Sequence, residues 1–129
     1  MTRSARGPSP SLCGGTYLSD AARDRVAARF RVLGEPTRLK ILERLFRAPA
    51  SVGEILESVG GTQANVSKHL ALLHAGGLVA RQKKGLRTVY SIADPTLERI
   101  CEIVCGAVSR EAHAAVREIH APAARARRG

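Results

Sequence analysis

The feature that most constrains the fold of this chain is a pair of short helical segments separated by two glycines. The run Ser51-Val52-Gly53-Glu54 is a capping box, and it predicts a helix that continues through Val59 and ends at Gly60-Gly61. A second predicted helix begins near Thr62 and ends at Gly76-Gly77. Two helices joined by a short glycine-containing turn are typical of a helix-turn-helix, whose second helix enters the major groove of DNA.

The hydrophobic period changes from 3.6 to 2 directly after these helices. Residues 78–84 and 88–92 alternate in polarity around a tip that contains Gly85, which predicts a β-hairpin. The hairpin is basic, and no acid lies between its first and last cation, a pattern that favours contact with phosphate or the minor groove. A basic hairpin at this place in the chain is the wing of a winged helix.

Three further helices surround this motif. One is predicted from about Ser19 to Leu33 and another from Pro36 to a stop before Pro49, with Gly34 between them. Asp94-Pro95 opens a last helix of about 25 residues, about 37 Å long. The predicted fold class is therefore mainly α with a β-hairpin wing, a winged helix-turn-helix.

Composition restricts the partners and the organisation of the chain. Its 129 residues suffice for one domain, predicted at 16–120, between a flexible N-terminal tail at 1–15 and a flexible basic tail at 121–129. The net charge of +10 favours a polyanion, and the two Phe, two Tyr and no Trp argue against a stacking surface for single-stranded nucleic acid. Neither a signal peptide nor an apolar run of about 18 residues is evident, so a cytoplasmic location is expected.

The second helix of the motif has an apolar face and a polar face. With Val66, Leu70 and Leu73 set toward the core, the polar side chains of the opposite face suit hydrogen bonds to base edges or phosphates. His69 lies about 60° from the apolar stripe and is expected to pack or bond locally. The candidate DNA contacts are Gln63, Asn65, Ser67 and Lys68 on the helix and Arg81, Lys83, Lys84 and Arg87 on the hairpin.

The last helix has a long apolar stripe, more than a monomer of this size readily covers. The stripe predicts a homodimer in which two reading helices lie about one DNA turn apart, roughly 34–36 Å. Its members are Leu97, Ile100, Cys101, Val104, Val108, Ala112, Ala115 and Ile119.

Three segments between about Phe30 and Ile92 resemble the ArsR/SmtB family of bacterial winged-helix repressors: LGEPTRLKILERL, SVGEILESVGGTQANVSKHLALLHAGGLV and RQKKGLRTVYSI. The resemblance implies a homodimer joined through its first and last helices. It also implies binding to an inverted-repeat operator in double-stranded DNA and release by an inducer. By position, the four polar residues of the second helix fall in the family's reading helix, and residues 81–87 fall in its wing.

The cysteines suggest what is sensed. Cys101 and Cys105 are spaced i, i+4 on the last helix, about 6 Å apart along its axis, which suits two thiolates on one ion and suits an intrahelical disulfide poorly. Cys13 is a candidate third ligand, from the same chain or its partner. Three thiolates select soft ions, namely As(III), Sb(III), Cd(II), Pb(II) or Hg(II). Two alternatives stay open: a thiol-based redox or reactive-sulfur sensor, and Cys101 as a small buried hydrophobe.

Other sites and functions have less support. The third helix holds no cysteine, so the arsenic or cadmium box of the family is absent there, and His113 and His120 are too far apart for its zinc site. Without a phosphate-binding glycine loop, a nucleophile elbow or a Cys-x-x-Cys, the chain is not expected to be an enzyme. A sequence-neutral architectural DNA binder is the alternative that specific operator binding would exclude.

Overall fold

The computed structural model describes the backbone of residues 17–128 and the side chains of residues 17–115. The predicted N-terminal tail, with Cys13, lies outside the described residues. The chain divides into two compact units, one ending at Ile92 and the other beginning at Ala93.

Four helices of the first unit lie where the sequence predicts them. They are α1 (Asp20–Leu33), α2 (Pro36–Arg47), α3 (Val52–Val59) and α4 (Gln63–Ala75). Local capping explains the agreement: Ser19 caps α1 by accepting a hydrogen bond from the Ala22 amide, and Ser51 and Glu54 form both hydrogen bonds of the capping box at α3.

The sheet of the first unit has three antiparallel strands, namely β1 (Ala50–Ser51), β2 (Val79–Lys84) and β3 (Arg87–Ile92), in the order β1-β3-β2. The predicted hairpin forms as β2 (Val79–Lys84) and β3 (Arg87–Ile92). The strand β1 (Ala50–Ser51) was not predicted, because two residues are too short to show a period-2 pattern. Its existence depends on pairing with Tyr90 and Val89 of β3, about forty residues away in sequence.

The core of the first unit lies between α2, α3, α4 and the sheet. The predicted inward stripe of α4 is confirmed, since all three of its members are completely buried. The buried apolar residues of this unit are Leu33, Ile41, Leu42, Leu45, Ala50, Ile55, Val66, Leu70, Leu73, Leu78, Val79 and Tyr90. This core places α4 on a rigid base, with its polar face directed to solvent.

The second unit contains one helix, α5 (Thr96–Arg128), of 33 residues. It extends to Arg128 and so includes most of the segment predicted as a basic tail. Of the predicted apolar stripe, Leu97 is buried and Cys101 is half-buried, whereas five members are exposed: Ile100 by 37%, Val104 by 55%, Val108 by 55%, Ala112 and Ala115. Among the described residues, no helix is long and apolar enough to cross a membrane.

Candidate nucleic-acid interface and thiol pair

The turn between α3 and α4 orients the N-terminus of the candidate reading helix. Gly60 and Gly61 have φ angles of +83° and +86°, a backbone region that side-chain-bearing residues rarely adopt. Thr62 then caps α4 by accepting a hydrogen bond of 3.1 Å from the Asn65 amide. The two glycines thus reverse the chain sharply, and the cap begins α4 at a defined residue.

The polar side chains predicted to contact DNA are all exposed on α4. Gln63, Asn65, Ser67 and Lys68 face solvent, while Val66 between them is completely buried. The helix therefore presents a short row of donors and acceptors with no acidic residue in it, as recognition of base edges and phosphates requires.

One guanidinium joins the reading helix to the two helices that precede it. Arg38 of α2 donates from Nε to the Val32 carbonyl at 2.6 Å and from Nη2 to the Arg31 carbonyl at 3.4 Å. Its Nη1 lies 3.1 Å from Nδ1 of His69, which is nine-tenths buried on α4. Since a guanidinium only donates, Nδ1 of His69 is the acceptor. Arg38 therefore links α1, α2 and α4 through one side chain. His69 is buried and lies outside the exposed row, as the sequence predicted, but its hydrogen-bond partner is 31 positions away.

Glu35 completes this polar cluster. It caps α2 by accepting a hydrogen bond of 2.9 Å from the Arg38 amide, and its Oε1 lies 4.0 Å from Nδ1 of His69. The hydrogen bond from the Arg38 amide is the main reason that the pKa of Glu35 lies below its ordinary value. The carboxylate thus stays charged beside the guanidinium, and it stabilises the arrangement that holds α4.

The C-terminal turn of α1 depends on the same arginine. Helix ends leave carbonyls without helical partners. The Gly34 amide satisfies the Phe30 carbonyl at 2.9 Å, whereas the Val32 carbonyl accepts from Arg38. A Cβ added to Gly76, at the end of α4, would lie 3.5 Å from Cγ2 of Val32. The end of α1 therefore lies close to the end of α4, in addition to the link through Arg38.

The wing is a tight and regular hairpin. Pairing between β2 and β3 continues to Lys84 opposite Arg87, and Gly85 between them has a φ of +65°. The wing side chains predicted to contact DNA are all exposed, namely Arg81, Lys83, Lys84 and Arg87. A basic edge therefore extends from the end of α4 to the tip of the hairpin.

One of these wing cations has an acidic partner that sequence spacing did not reveal. Arg87 Nη2 lies 3.0 Å from Oε1 of Glu54 on α3, although the two residues are 33 positions apart. Hydrogen bonds from the amide and hydroxyl of Ser51 lower the pKa of Glu54 most, and Arg87 lowers it further. The capping carboxylate of α3 thus also holds the N-terminal end of β3 in the wing.

The predicted metal ligands are only partly within the described structure. Cys101 is half-buried and Cys105 is exposed, and both carry thiols. They lie on adjacent turns of α5, while the third predicted ligand, Cys13, lies outside the described residues. Among the residues that are described, no three metal-ligating side chains come together. His113 is exposed, as expected for a surface histidine.

Comparison with known proteins gives consistent matches. A helix-turn-helix domain family matches residues 33–82. A Streptomyces lividans protein named "Probable mercury resistance operon repressor" is 34% identical over 99 residues, which cover 74% of this chain and 77% of the relative.

Two solved structures are similar over most of their length. The crystal structure of Mycobacterium tuberculosis Rv0081 has a TM-score of 0.69 and 33% identity, and the match covers 76% of this chain and 99% of the other. A homodimeric winged helix-turn-helix DNA-binding domain from Mycobacterium bovis, described as "a possible ArsR-family transcriptional regulator", has a TM-score of 0.66 and 30% identity. That match covers 73% of this chain and 90% of the other.

Proposed function

This chain belongs to the ArsR/SmtB family of winged helix-turn-helix transcription regulators, and we propose that it is a homodimeric repressor released from its operator by a soft metal or metalloid ion. It is a DNA-binding regulator rather than an enzyme. The observation that carries the proposal is the combination of an exposed polar face on α4 with two thiols on the exposed apolar helix α5.

The DNA-binding part rests on α4 and the wing. Gln63 and Asn65 are suited to adenine, Ser67 to base edges or phosphate, and Lys68 to phosphate. Arg81, Lys83 and Lys84 extend the positive surface along the wing, where phosphate contacts fix the register without reading sequence. A twofold dimer would present two such surfaces to an inverted repeat, with centres roughly 34–36 Å apart.

The sensing part rests on the chemistry of the donor set. Cys101 and Cys105 supply sulfur from adjacent turns of α5, and sulfur ligands favour Hg(II), Cd(II), Pb(II), As(III) and Sb(III) over Mg(II) and Ca(II). Cys13 is proposed as the third ligand. A bound ion would supply a cross-link between thiolates on the dimerisation helix, and a preference for the DNA-free dimer of a few kcal/mol would suffice to empty the operator. Because one relative is named as a mercury resistance operon repressor, Hg(II) is the first ion to test.

A titration tests both parts together. The wild type is bound to a fluorescent duplex that it has itself selected from a random library, and Hg(II), Cd(II) or arsenite is added without oxygen in a non-thiol reductant. We expect thiolate-to-metal absorption to rise in step with loss of anisotropy from the duplex. Cys101→Ser and Cys105→Ser should each weaken this response, and Cys13→Ser tests the third ligand.

Three results would contradict the proposal. Release by oxidant but by none of the ions would replace it with the redox or reactive-sulfur sensor, because thiol oxidation needs no metal. Unchanged induction in both Cys101→Ser and Cys105→Ser would show that these two thiols do not bind the inducer. Equal affinity for selected and random duplexes at fixed salt would exclude specific operator binding, since specific binding usually exceeds non-specific binding by at least about 10³.

A further inference from the structure

The tip of the wing presents an apolar side chain to solvent. Leu86 is 102% exposed, more than any other large apolar residue that the structure describes. It directly follows Gly85, and the strands remain paired up to the residues on either side of the two-residue turn, Lys84 and Arg87. Leu86 therefore lies at the apex of a regular hairpin and has no packing role within this chain.

The turn geometry holds this leucine in place. Gly85 has a positive φ of +65°, and no described residue other than glycine has a positive φ. A positive φ at only the first central residue is the pattern of a type II′ turn, whose twist matches that of the paired strands. The backbone at Leu86 is thus constrained, and little ordering would be needed for the side chain to meet a partner.

The neighbouring arginine is held away from the apex. Arginine is the side chain most often inserted into a narrow minor groove. Here the Arg87 guanidinium bonds to Glu54 on α3 at 3.0 Å, so it is directed toward α3 and not beyond the turn. The foremost side chain of the wing is consequently Leu86, with the exposed cations Lys83 and Lys84 beside it on β2.

We propose that Leu86 is an apolar minor-groove contact, inserted beside each half-site while Lys83 and Lys84 bind the flanking phosphates. The inference rests on the proposed operator binding and adds a source of specificity to it. Leucine is among the apolar side chains that minor-groove proteins use as wedges. The guanine N2 amino group occupies the floor of that groove, whereas A·T pairs leave it open. The wing should therefore favour A·T pairs where Leu86 enters, without a hydrogen bond to any base.

Substitutions at Leu86 separate this apolar contact from charge. Binding of the selected duplex is compared among wild type, Leu86→Met, Leu86→Ser and Lys84→Ala. We expect Leu86→Ser to bind about tenfold more weakly, equivalent to about 1.4 kcal/mol, and Leu86→Met to stay within about twofold of wild type. The slope of log affinity against log salt should be unchanged in both. Lys84→Ala removes one phosphate contact from each half of the dimer, so it should lose about two units of the slope.

A modified base tests the groove. Replacing adenine by 2,6-diaminopurine adds an amino group in the minor groove and leaves the major-groove edge of the A·T pair unaltered. Scanned through the A·T pairs that flank the half-sites, this replacement should weaken wild type and Leu86→Met about fivefold at one symmetric pair of positions, a change of about 1 kcal/mol. It should have no effect on Leu86→Ser, because the excluded side chain is gone.

The outcomes distinguish this inference from the function on which it rests. One outcome is that wild type prefers the selected duplex while Leu86→Ser binds that duplex as tightly as wild type and is weakened by diaminopurine to the same extent. In that case the proposed minor-groove contact is wrong, and specific operator binding is unaffected. If wild type shows no preference for the selected duplex, the proposed function fails first. A reduced salt slope in Leu86→Ser would also contradict the apolar contact. It would mean that the substitution had moved Lys83 and Lys84 away from the phosphates, so that the loss of affinity came from charge.

Discussion

The helices α4 and α5 are both amphipathic, but most of the apolar stripe of α5 is exposed, apart from the buried Leu97 and the half-buried Cys101. The stripe of α4, formed by Val66, Leu70 and Leu73, is completely buried within the first unit. On α5, Val104 and Val108 remain 55% exposed. One chain thus completes the core beneath α4, whereas we propose that a second copy buries the exposed stripe of α5.

This difference in packing fits the tasks proposed for the two units. A reader must hold its side chains in a defined position, and a complete core and polar cluster do this for α4. A sensor must move between two arrangements, and an interface between subunits can repack more readily than a filled core. The proposed metal site therefore lies on the helix whose packing one chain leaves incomplete.

The largest expected effect concerns the core beneath α4. Leu70→Ala removes a completely buried side chain and should lower the free energy of unfolding by about 2–5 kcal/mol. Leu72→Ala is the matched control, because Leu72 lies on the same helix but is 42% exposed, and it should cost less than about 1 kcal/mol. Urea unfolding measures both. Equal losses would contradict the contrast in packing.

The next prediction concerns the exposed face of α5. Val104→Asp places a charge where the second copy is expected, and it should weaken dimerisation by about a hundredfold, equivalent to about 2.7 kcal/mol. Ile103→Asp is the control: Ile103 is more exposed, at 68%, yet it lies outside the predicted stripe. Sedimentation over a range of concentrations distinguishes them. A dimer that survives Val104→Asp, or is lost equally in Ile103→Asp, would place the interface elsewhere.

A smaller effect is expected at the arginine that holds α4. Arg38→Met leaves the Val32 carbonyl and buried His69 without their donor, and it should cost about 1.5–3 kcal/mol of stability. It should also weaken operator binding, because α4 loses its tie to α1 and α2. Arg44→Met, in the same helix, removes a single hydrogen bond, from Nη1 to the Ala48 carbonyl at 2.9 Å. The two variants should therefore differ in both thermal unfolding and operator affinity, and matching values would show that Arg38 does not position α4.

The smallest effect is the pH dependence of the wing anchor. Because the pKa of Glu54 lies below its usual 4.5 in the folded chain, its contribution to stability is present above pH 4.5 and is lost as pH falls through the lower, folded value. Glu54→Gln has no such titration. The stability advantage of wild type over Glu54→Gln should therefore shrink as the solution is acidified below pH 4.5, and an advantage that grows would contradict the assigned sign.

The candidate site was predictable where it depended on spacing along one helix. The exposed row on α4 followed from the 3.6-residue period, and so did the exclusion of His69 from it. The period also placed Cys101 and Cys105 on one side of α5. The partner of Arg87 was not predictable, because Glu54 lies outside the hairpin and 33 positions away in sequence.

Sequence alone determined the helices of the first unit and the hairpin, since caps, glycine turns and hydrophobic periods act over a few residues. The Ser51 capping box would begin a helix, and Gly60-Gly61 would end one, in other folds as well. Tertiary structure decided the short strand β1, the link from Arg38 to His69 across 31 positions and that from Arg87 to Glu54 across 33. A long flexible side chain bonds to whichever partner the tertiary fold brings close to it. The hydrophobic period of a helix or strand carries no information about that partner.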